Sequence, residues 1–261
     1  MQHPVRAKKH LGQHFLNDLE AAASIVDALT GHHGYKEVLE IGPGTGVLSG
    51  FLFNRNEFKV TLLDIDKESV DYLHKTFPEH AGDIRYGDFL REDLSRLFSG
   101  EFAVIGNFPY NISSQILFKV LEHREHIPEV VGMFQKEVAE RIASGPGNRD
   151  YGILSVFMQA YYDTELLFTL PEDAFTPPPK VKSAVLRFIR KENFELGCDR
   201  DAFFRTVKAA FNQRRKTLRN ALSSLLPKDR MEGLPYLDLR AEALGWKQFT
   251  ELTNAVSARS N

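Results

Sequence analysis

Two kinds of hydrophobic pattern alternate along the first two thirds of the chain. Short runs rich in β-branched and aromatic residues alternate with stretches in which apolar residues recur at helical spacing. The predicted strands are Glu37–Ile41, Phe58–Leu63, Ile84–Tyr86, Phe102–Ile105, Val130–Phe134, Glu165–Thr169 and Ala184–Ile189. The predicted helices between them include Leu19–Leu29, Val47–Phe53, Lys67–Thr76, Ser113–Glu122 and Lys136–Ala143. Because strands that alternate with helices form βαβ units, the pattern predicts an α/β fold with a mainly parallel, buried sheet.

The last two of these seven strands depart from the alternation. The short segment between them begins with residues 170–180, and these include the three consecutive prolines Pro177–Pro179. A helix cannot run through this segment because proline lacks a backbone N–H and clashes with the preceding turn. We therefore expect the two strands to pair as an antiparallel hairpin at one end of the sheet.

After Arg190 the pattern becomes helical throughout. The predicted helices are Asp199–Phe211, Lys216–Leu225, Arg240–Leu244 and Lys247–Val256, with no strand between them. This change predicts two domains, with a boundary that sequence patterns locate only within a few residues. Residues 1–190 form the α/β domain and include an N-terminal arm of residues 1–17, and residues 191–261 form a small all-helical domain.

Composition excludes several classes of protein. Hydrophobic residues make up 43% and charged residues 26% of the 261 residues, as in folded globular chains. No apolar run approaches the roughly 18 residues of a membrane-spanning helix, and no apolar segment follows the basic N-terminus, which excludes a secretory signal. The single cysteine, Cys198, cannot form an internal disulfide, and no histidine pair has metal-ligand spacing. The sequence thus predicts a cytoplasmic protein with no metal and no membrane association.

Charge is distributed unevenly along the chain. Residues 1–190 carry 20 Lys and Arg against 26 Asp and Glu, whereas residues 191–261 carry 13 against 9. Most of the positive excess lies between Arg200 and Arg219, where seven basic residues accompany one acid. Such a segment is typical either of a surface that binds a polyanion or of a solvated helix face.

A glycine-rich turn follows the first predicted strand. Gly42, Gly44 and Gly46 come directly after the apolar run that ends at Ile41, and a helix follows. Glycines at such a turn let a ligand approach the backbone without a Cβ in the way. The third glycine comes one residue too early for the dinucleotide pattern G-x-G-x-x-G, so the loop favours a nucleotide-like ligand other than a dinucleotide.

Acidic residues follow the second and third strands. Because neighbouring parallel strands end at one edge of a sheet, these residues are expected beside the glycine loop. Asp64 is the better candidate to accept the hydroxyls of a ribose, and Asp66 is an alternative for that role or a cap for the helix from Lys67. Asp88 is a candidate acceptor for the amine of an adenine, or the N-cap of a helix that follows it.

The fourth strand ends in the most informative string, Gly106-Asn107-Phe108-Pro109-Tyr110-Asn111. Asn107 offers an acceptor oxygen, the proline fixes a turn that can turn the preceding carbonyl into a pocket, and Tyr110 offers a flat face for a base. Two acceptors and an aromatic face suit a planar amine. Accepting both hydrogens of that amine tilts its lone pair towards an electrophile without a strong base.

With these motifs in place, the chain resembles the ribosomal RNA adenine dimethyltransferase family over nearly its whole length. The segments that carry the resemblance are Lys9–Asp18 (KHLGQHFLND), Glu40–Gly46 (EIGPGTG), Asn107–Ser113 (NFPYNIS), Gln135–Arg141 (QKEVAER), Tyr151–Val156 (YGILSV) and Phe175–Val181 (FTPPPKV). The resemblance implies a Rossmann-like methyltransferase sheet and S-adenosylmethionine as the methyl donor. The glycine loop alone fits any such methyltransferase, whereas the N-terminal and Phe175 segments are specific to the family.

The resemblance also implies roles for individual residues. Those assigned to the methyl donor are His14, Leu16, Gly42, Gly44, Asp64, Asp88 and Asn107. Those assigned to the target adenosine are Asn107 and the Phe108 carbonyl, which accept the N6 hydrogens, and Tyr110 and Phe175, which stack on the base. From the residues alone, Phe175 is instead expected to pack the hairpin loop onto the core. The chain has His14 where the family usually has Asn, and Phe108 where it usually has Leu.

The implied reaction is dimethylation of N6 on two adjacent adenosines in a hairpin near the 3′ end of 16S rRNA. The implied partner is the immature small ribosomal subunit, and we expect a monomer. The basic residues expected to contact RNA phosphates are Arg205, Lys208, Arg214, Arg215, Lys216 and Arg219. Two alternatives stay open: a methyltransferase of another amine, such as DNA adenine N6 or a protein amide, and a non-enzymatic RNA-binding factor.

Overall fold

The structure, a computed structural model, describes residues 5–260. Its strands are β1 (Phe15–Leu16), β2 (Glu37–Ile41), β3 (Lys59–Asp64), β4 (Ile84–Tyr86), β5 (Phe102–Asn107), β6 (Glu129–Gln135), β7 (Tyr162–Leu170), β8 (Phe175–Thr176) and β9 (Ser183–Arg190). Its α-helices are α1 (Leu19–Asp27), α2 (Val47–Phe53), α3 (Lys67–Thr76), α4 (Ser113–Glu122), α5 (Lys136–Ala143), α6 (Ile153–Tyr161), α7 (Arg200–Asn212), α8 (Leu218–Ala221) and α9 (Trp246–Ser260). Residues 1–4 of the predicted arm and the last residue of the predicted helical domain lie outside the described residues.

Seven strands form the main sheet, in the order β4-β3-β2-β5-β6-β9-β7. In this order, each pair of neighbouring strands from β4 to β6 is parallel. Strand β9 runs antiparallel to β6. After Arg190 the described chain contains helices and turns and no strand. The predicted fold class, a mostly parallel seven-stranded α/β sheet with an antiparallel part at one end and a helical C-terminal region, is confirmed.

The parallel strands are buried on both faces. In β5 the residues from Phe102 to Ile105 are at most 1% exposed, and in β2 Val38 and Leu39 are fully buried. Helices that cover both faces of a parallel sheet explain why these strands read as continuous apolar runs rather than as alternating patterns. The same runs made the strands predictable.

Three helices begin at an aspartate whose side chain caps the first turn. Asp18 accepts a hydrogen bond from the Ala21 N–H at 2.9 Å, and Asp199 accepts one from the Ala202 N–H at 2.7 Å. Asp66 does the same for the Glu68 N–H at 3.0 Å at the start of α3. Since the first backbone N–H groups of a helix have no partner within it, these caps fix where the helices begin.

The parallel strands place their carboxyl ends side by side at one edge of the sheet. The register pairs Ile41 with Leu63 across β2 and β3, and Asp64 with Tyr86 across β3 and β4. The turns that follow the strands stay in contact, because Gly42 N–H donates to the Leu63 carbonyl at 2.9 Å. This edge holds the glycine loop and both acidic turns in one place.

A second, two-stranded sheet joins the N-terminal arm to the segment before the prolines. Strand β1 pairs antiparallel with β8, with Phe15 opposite Thr176 and Leu16 opposite Phe175. Asn17 extends the joint through its backbone N–H to the Ala174 carbonyl at 2.8 Å and through Nδ2 to Thr176 Oγ1 at 2.6 Å. The arm is thus hydrogen-bonded to a segment about 160 residues further along the chain.

The structure differs from the predicted helices in three places. Helix α6 was not predicted; it buries residues around most of its circumference, so its sequence lacks a polar stripe. The predicted helix Lys216–Leu225 is the four-residue α8 followed by a 3₁₀ turn, and Arg240–Leu244 is a single 3₁₀ turn over Ala241–Ala243. These short segments carry helical hydrophobic spacing without the length of a regular helix.

By the distances between their Cα atoms, the residues form two compact units. The first comprises Met1–Ala139 and Glu165–Arg190, and the second comprises Glu140–Thr164 and Lys191–Asn261. The predicted domain boundary after residue 190 stays a prediction; the second unit also takes in the segment that contains α6. Within residues 5–260, no helix combines the length and apolar character needed to cross a membrane.

Candidate active site

A cleft opens at the edge of the sheet where β2, β3, β4 and β5 end. It encloses about 970 Å³ of empty space, counting the part that opens to solvent, within the range of small-molecule sites. Of the residues predicted to contact the donor or the target, those that line this cleft are His14, Gly42, Gly44, Asp64, Asp88, Asn107, Phe108 and Tyr110. Leu16 and Phe175 lie outside the described lining and are 3% and 2% exposed in the core.

The first two glycines of the loop after β2 serve different purposes. Gly42 has a φ of +63°, and a Cβ built on it would meet only Pro109 Cδ, 4.0 Å away, so this position faces the open cleft. Gly44 has a φ of +58°, and a Cβ there would lie 2.8 Å from Cε1 of Phe15. Gly42 therefore leaves room for a ligand, whereas Gly44 leaves room for the aromatic ring of the arm.

Asp64 connects the glycine loop to the end of β3. One carboxylate oxygen accepts the Gly44 N–H at 3.0 Å and the other accepts the Asp66 N–H at 2.8 Å. The side chain is 4% exposed, and this burial raises the pKa of its carboxyl to about 6 against the two stabilising hydrogen bonds. Each oxygen keeps a further lone pair for a hydroxyl in the cleft.

Asp66 is used by the protein itself. Besides capping α3, its carboxylate accepts a hydrogen bond from Gln13 Nε2 at 3.0 Å and forms an ion pair with Lys8. The neighbouring cation and these bonds hold the pKa of Asp66 below its usual range against the opposing effect of burial. The sequence left two roles open for Asp66, binding a ribose or capping α3. In the structure Asp66 caps α3, and it also anchors the N-terminal arm.

Asp88 both caps a turn and lines the cleft. Its Oδ1 accepts the Leu90 N–H at 3.0 Å, and its Oδ2 lies 3.5 Å from Nε of the exposed Arg91. A turn over residues 89–91 follows Asp88, and the next helical segment is capped by Asp93, so the prediction of a helix N-cap at Asp88 is wrong. The turn uses one oxygen and leaves acceptor capacity on the other, and the role of adenine acceptor stays a prediction.

Asn107 is the last residue of β5 and points its carboxamide towards the arm. Its Nδ2 donates to the His14 carbonyl at 2.8 Å, which fixes the orientation of the amide. Within residues 5–260, the Asn107 side chain makes no other hydrogen bond, so its Oδ1 is available as an acceptor in the cleft. The ring of Phe108 is fully buried and lies over Gly132, where a Cβ would come within 2.3 Å of it.

Tyr110 and His14 form an aromatic pair at the side of the cleft. Their ring centroids are 5.5 Å apart with an angle of 26° between the planes. The Tyr110 hydroxyl shares a hydrogen bond with Ser183 Oγ at 2.5 Å, and His14 Nδ1 donates to the Pro177 carbonyl at 2.7 Å. His14, the residue that departs from the family pattern, thus contacts Tyr110, the loop after β8 and, through its carbonyl, Asn107.

Glu40 is a residue of this region that the sequence reading overlooked. It is buried in β2 and accepts a hydrogen bond from Ser49 Oγ at 2.6 Å. Burial, reinforced by the nearby Asp64 charge, raises the pKa of its carboxyl to about 8. The available signal was a glutamate inside an otherwise apolar strand.

The six predicted RNA-contacting residues lie in the second unit and differ in their surroundings. Arg205, Lys208, Arg215 and Lys216 are exposed, and among the residues described none of them forms an ion pair. Arg214 is half-buried and donates to the Arg149 carbonyl, with Glu242 4.0 Å away. Arg219 pairs with Asp238 at 3.2 Å.

Comparison with known proteins finds similar proteins over nearly the whole chain. A sequence model of the family described as ribosomal RNA adenine dimethylase matches residues 5–247. Ribosomal RNA small subunit methyltransferase A of Cytophaga hutchinsonii is 58% identical over 98% of this chain and 99% of its own. The protein of the same name from Parabacteroides distasonis is 56% identical over 95% and 93%. The crystal structure of a dimethyladenosine transferase from Plasmodium falciparum superposes with a TM-score of 0.80 at 26% identity, covering 94% of this chain and 98% of that one.

Proposed function

The chain belongs to the ribosomal RNA adenine dimethylase family, and from this premise we propose that it dimethylates N6 of two adjacent adenosines near the 3′ end of 16S rRNA. The predicted enzyme class, an rRNA adenine dimethyltransferase, is confirmed by that membership. The proposal extends to the target: a hairpin of the small-subunit RNA, presented within the immature subunit. The observation that carries it is the fixed carboxamide of Asn107 at the end of β5, in a cleft shared with Gly42 and Asp64.

S-adenosylmethionine fits the cleft as the methyl donor. The space in front of Gly42 admits a ligand against the backbone, and the buried Asp64 carboxylate offers lone pairs to ribose hydroxyls. Asp88 keeps acceptor capacity for an adenine amine. Other residues of the donor site are His14, Gly44 and Asn107, while Leu16 supports the arm from the core through β1.

The proposed mechanism rests on positioning. S-adenosylmethionine supplies a methyl group bonded to positive sulfur. Asn107 Oδ1 and the Phe108 carbonyl accept the two N6 hydrogens of the target, which turns the nitrogen lone pair away from the ring. When bound, the donor would supply its methyl carbon to this lone pair, with sulfur as the leaving group and water as the acceptor of the N6 proton. The monomethylated amine keeps one hydrogen, so in the second transfer one of these two acceptors accepts it after rotation of the amine.

Aromatic side chains hold the target base in this scheme. We assign stacking on the base to Tyr110, whose hydroxyl is held by Ser183 and whose ring is backed by His14. Phe175 is packed in the core beside the cleft, so its closing over the base requires a movement of β8. A base inside a duplex cannot reach the cleft, so the target adenosine must be unstacked.

The exposed basic residues of the second unit are proposed to bind RNA phosphates. Arg205 and Lys208 share one face of α7, and Arg215 and Lys216 follow in the turn after it. Because these four side chains are exposed and form no ion pair within the described chain, their charges are available to a polyanion. Arg214 and Arg219 complete the set from positions where they also contact the protein. A monomer acting in the bacterial cytoplasm, where the small subunit is assembled, completes the proposal.

The test replaces Asn107 and asks for binding and transfer separately. In Asn107→Ala we expect the affinity for S-adenosylhomocysteine to change less than threefold and methyl transfer to small-subunit particles to fall about 100-fold or more. Asn54→Ala is the matched control, since Asn54 also donates one Nδ2 bond to a backbone carbonyl but lies outside the cleft lining. Normal transfer by Asn107→Ala contradicts the mechanism.

Substrate choice tests the target. Radiolabelled methyl transfer is measured in parallel on small-subunit particles, free DNA and peptides, and the nucleosides of small-subunit RNA from cells lacking the protein are examined by mass spectrometry. We expect label in the particles and loss of N6,N6-dimethyladenosine from the mutant cells. Preferential labelling of DNA or peptide, with dimethyladenosine retained in the cells, supports the alternative of another amine.

A further inference from the structure

A buried lysine of α4 holds the turn that forms one wall of the cleft. Lys119 is 8% exposed, and its Nζ donates to the Phe89 carbonyl at 2.6 Å and to the Glu92 carbonyl at 2.5 Å. The ammonium also lies 5.2 Å from the centroid of the Phe89 ring. A lysine removed from water in this way destabilises a protein unless its donors are satisfied, so a buried ammonium on two carbonyls calls for an explanation.

Burial and neighbouring carboxylates act on the pKa of this lysine in opposite directions. Burial lowers the pKa of Lys119, and four nearby carboxylates oppose that effect, those of Asp88, Glu92, Asp93 and Glu122. The position therefore combines a cation, two carbonyls and an aromatic ring around a single turn of the chain. A leucine of similar volume would fill the same space without the burial of a charge.

The turn that Lys119 holds belongs to the donor side of the cleft. Residues 87–90 line the cleft, and Asp88 accepts the Leu90 N–H within the turn. The Asp88 carbonyl accepts the N–H groups of Arg91 and Glu92, both at 2.9 Å. The carbonyls of Phe89 and Glu92 flank this small network, so holding both of them fixes the direction of the Asp88 side chain.

The same helix follows the segment that contains Asn107 and Tyr110. Helix α4 begins at Ser113, directly after the Asn107–Ile112 segment, and Lys119 lies six residues further, about 9 Å along the axis. The donor-side turn is therefore held by the helix that starts at the target-side motif.

We propose that Lys119 is a positioning residue for the adenine of the methyl donor, because it holds the turn that presents the Asp88 carboxylate to the adenine amine. The inference rests on the proposed role of Asp88 and adds the residue that orients it. A lysine with a purely structural role would affect folding and the binding of every ligand alike. A positioning lysine affects the discrimination between bases.

The experiment compares two ligands that differ only at the base. Titration calorimetry gives the affinities of S-adenosylhomocysteine and of S-inosylhomocysteine, in which an oxygen replaces the amine. We expect the wild-type preference for the adenosyl ligand to fall about tenfold in Lys119→Met, which keeps the length of the side chain and removes the charge. Lys75→Met, the same change at an exposed lysine of α3, should keep the full preference.

The outcomes distinguish a failure of the Lys119 proposal from a failure of the proposed role of Asp88. If Asp88→Ala loses the preference and Lys119→Met keeps it, Lys119 has no positioning role and this inference is overturned. If the wild-type protein does not distinguish the two ligands, the role of Asp88 fails, and this inference fails with it while methyl transfer itself is untouched. An equal loss for both ligands in Lys119→Met also overturns it.

A charge-preserving variant covers the case in which Lys119→Met does not fold. In Lys119→Arg the guanidinium keeps the charge but is planar and reaches further than an ammonium, so the two carbonyls have to shift in order to accept from it. We expect a folded protein with a preference reduced by about threefold. If Lys119→Arg keeps the full preference for the adenosyl ligand, the proposal is overturned, because a charge at this position is then sufficient and the way in which the two carbonyls are held does not matter.

Discussion

Replacing Asp64 by asparagine tests how burial in the cleft changes the ionisation of this carboxyl. The side chain is 4% exposed and its two oxygens accept backbone N–H groups from Gly44 and Asp66. Burial dominates and raises the pKa of the carboxyl to about 6, from an ordinary value of 3.8. Asparagine has nearly the same shape and no titratable proton, so it removes this ionisation. Its Nδ2 cannot accept one of the two backbone N–H groups, a loss that does not depend on pH.

The sign of the effect follows from the proton count. Between pH 3.8 and about 6 the folded protein holds the Asp64 proton and the unfolded chain has lost it. The folded state is therefore favoured at low pH, and the free energy of unfolding falls as pH rises through this window. The full difference is about 3 kcal/mol, of which about 1.4 kcal/mol is lost between pH 5 and pH 8.

Urea unfolding of the wild-type protein and of Asp64→Asn, at several values between pH 5 and pH 8, measures the contribution of Asp64 to the free energy of unfolding. The wild-type free energy of unfolding should fall by about 1.4 kcal/mol relative to the variant as pH rises. Glu40, whose raised pKa is about 8, is present in both proteins, so the effect of its burial, the main cause of that shift, is the same in both. A difference that stays constant over this range refutes the account of Asp64 as a buried, proton-binding group.

Two further variants test the arm and the basic surface. Gly44→Ala should lower the free energy of unfolding by about 2–4 kcal/mol, because it combines a left-handed residue with a Cβ 2.8 Å from Phe15. Gly31→Ala, with a φ of +72° and no atom within 4 Å of its Cβ, should cost only about 1–2 kcal/mol, and equal losses by urea unfolding would speak against the Phe15 contact. In Arg215→Gln the slope of log affinity for small-subunit RNA against log salt should fall by about one, as measured by filter binding. An unchanged slope there, matching the control Lys75→Gln, removes Arg215 from the RNA surface.

Local patterns explain which parts of the fold could be predicted. Helices α2, α3, α4 and α5 have the predicted bounds, since each has an apolar stripe and α3 has a capping aspartate besides. Helix α6 was missed because it is buried nearly all round, which removes the periodicity on which the prediction depends. Strand β5 continues to Asn107, two residues beyond its apolar run, because its pairing with β6 extends to Met133.

The candidate site was predictable where it depends on strand ends and was not where it depends on long-range contacts. Parallel strands end together, so the glycine loop, Asp64, Asp88 and Asn107 could be expected side by side. Nothing local shows that Phe15 pairs with Thr176, because that contact joins distant parts of the chain. The same holds for Lys119, whose helical spacing predicted a place in a helix and not the two carbonyls that it holds.

The pairing of β1 with β8 has a consequence for the order of events during synthesis. The wall formed by His14 and Phe15 is held by residues 174–177, which leave the ribosome more than 150 residues later. A nascent chain that already contains the glycine loop and the Asn107 string still has an open cleft. The chain can therefore complete this wall of the cleft only after most of its first compact unit has been translated.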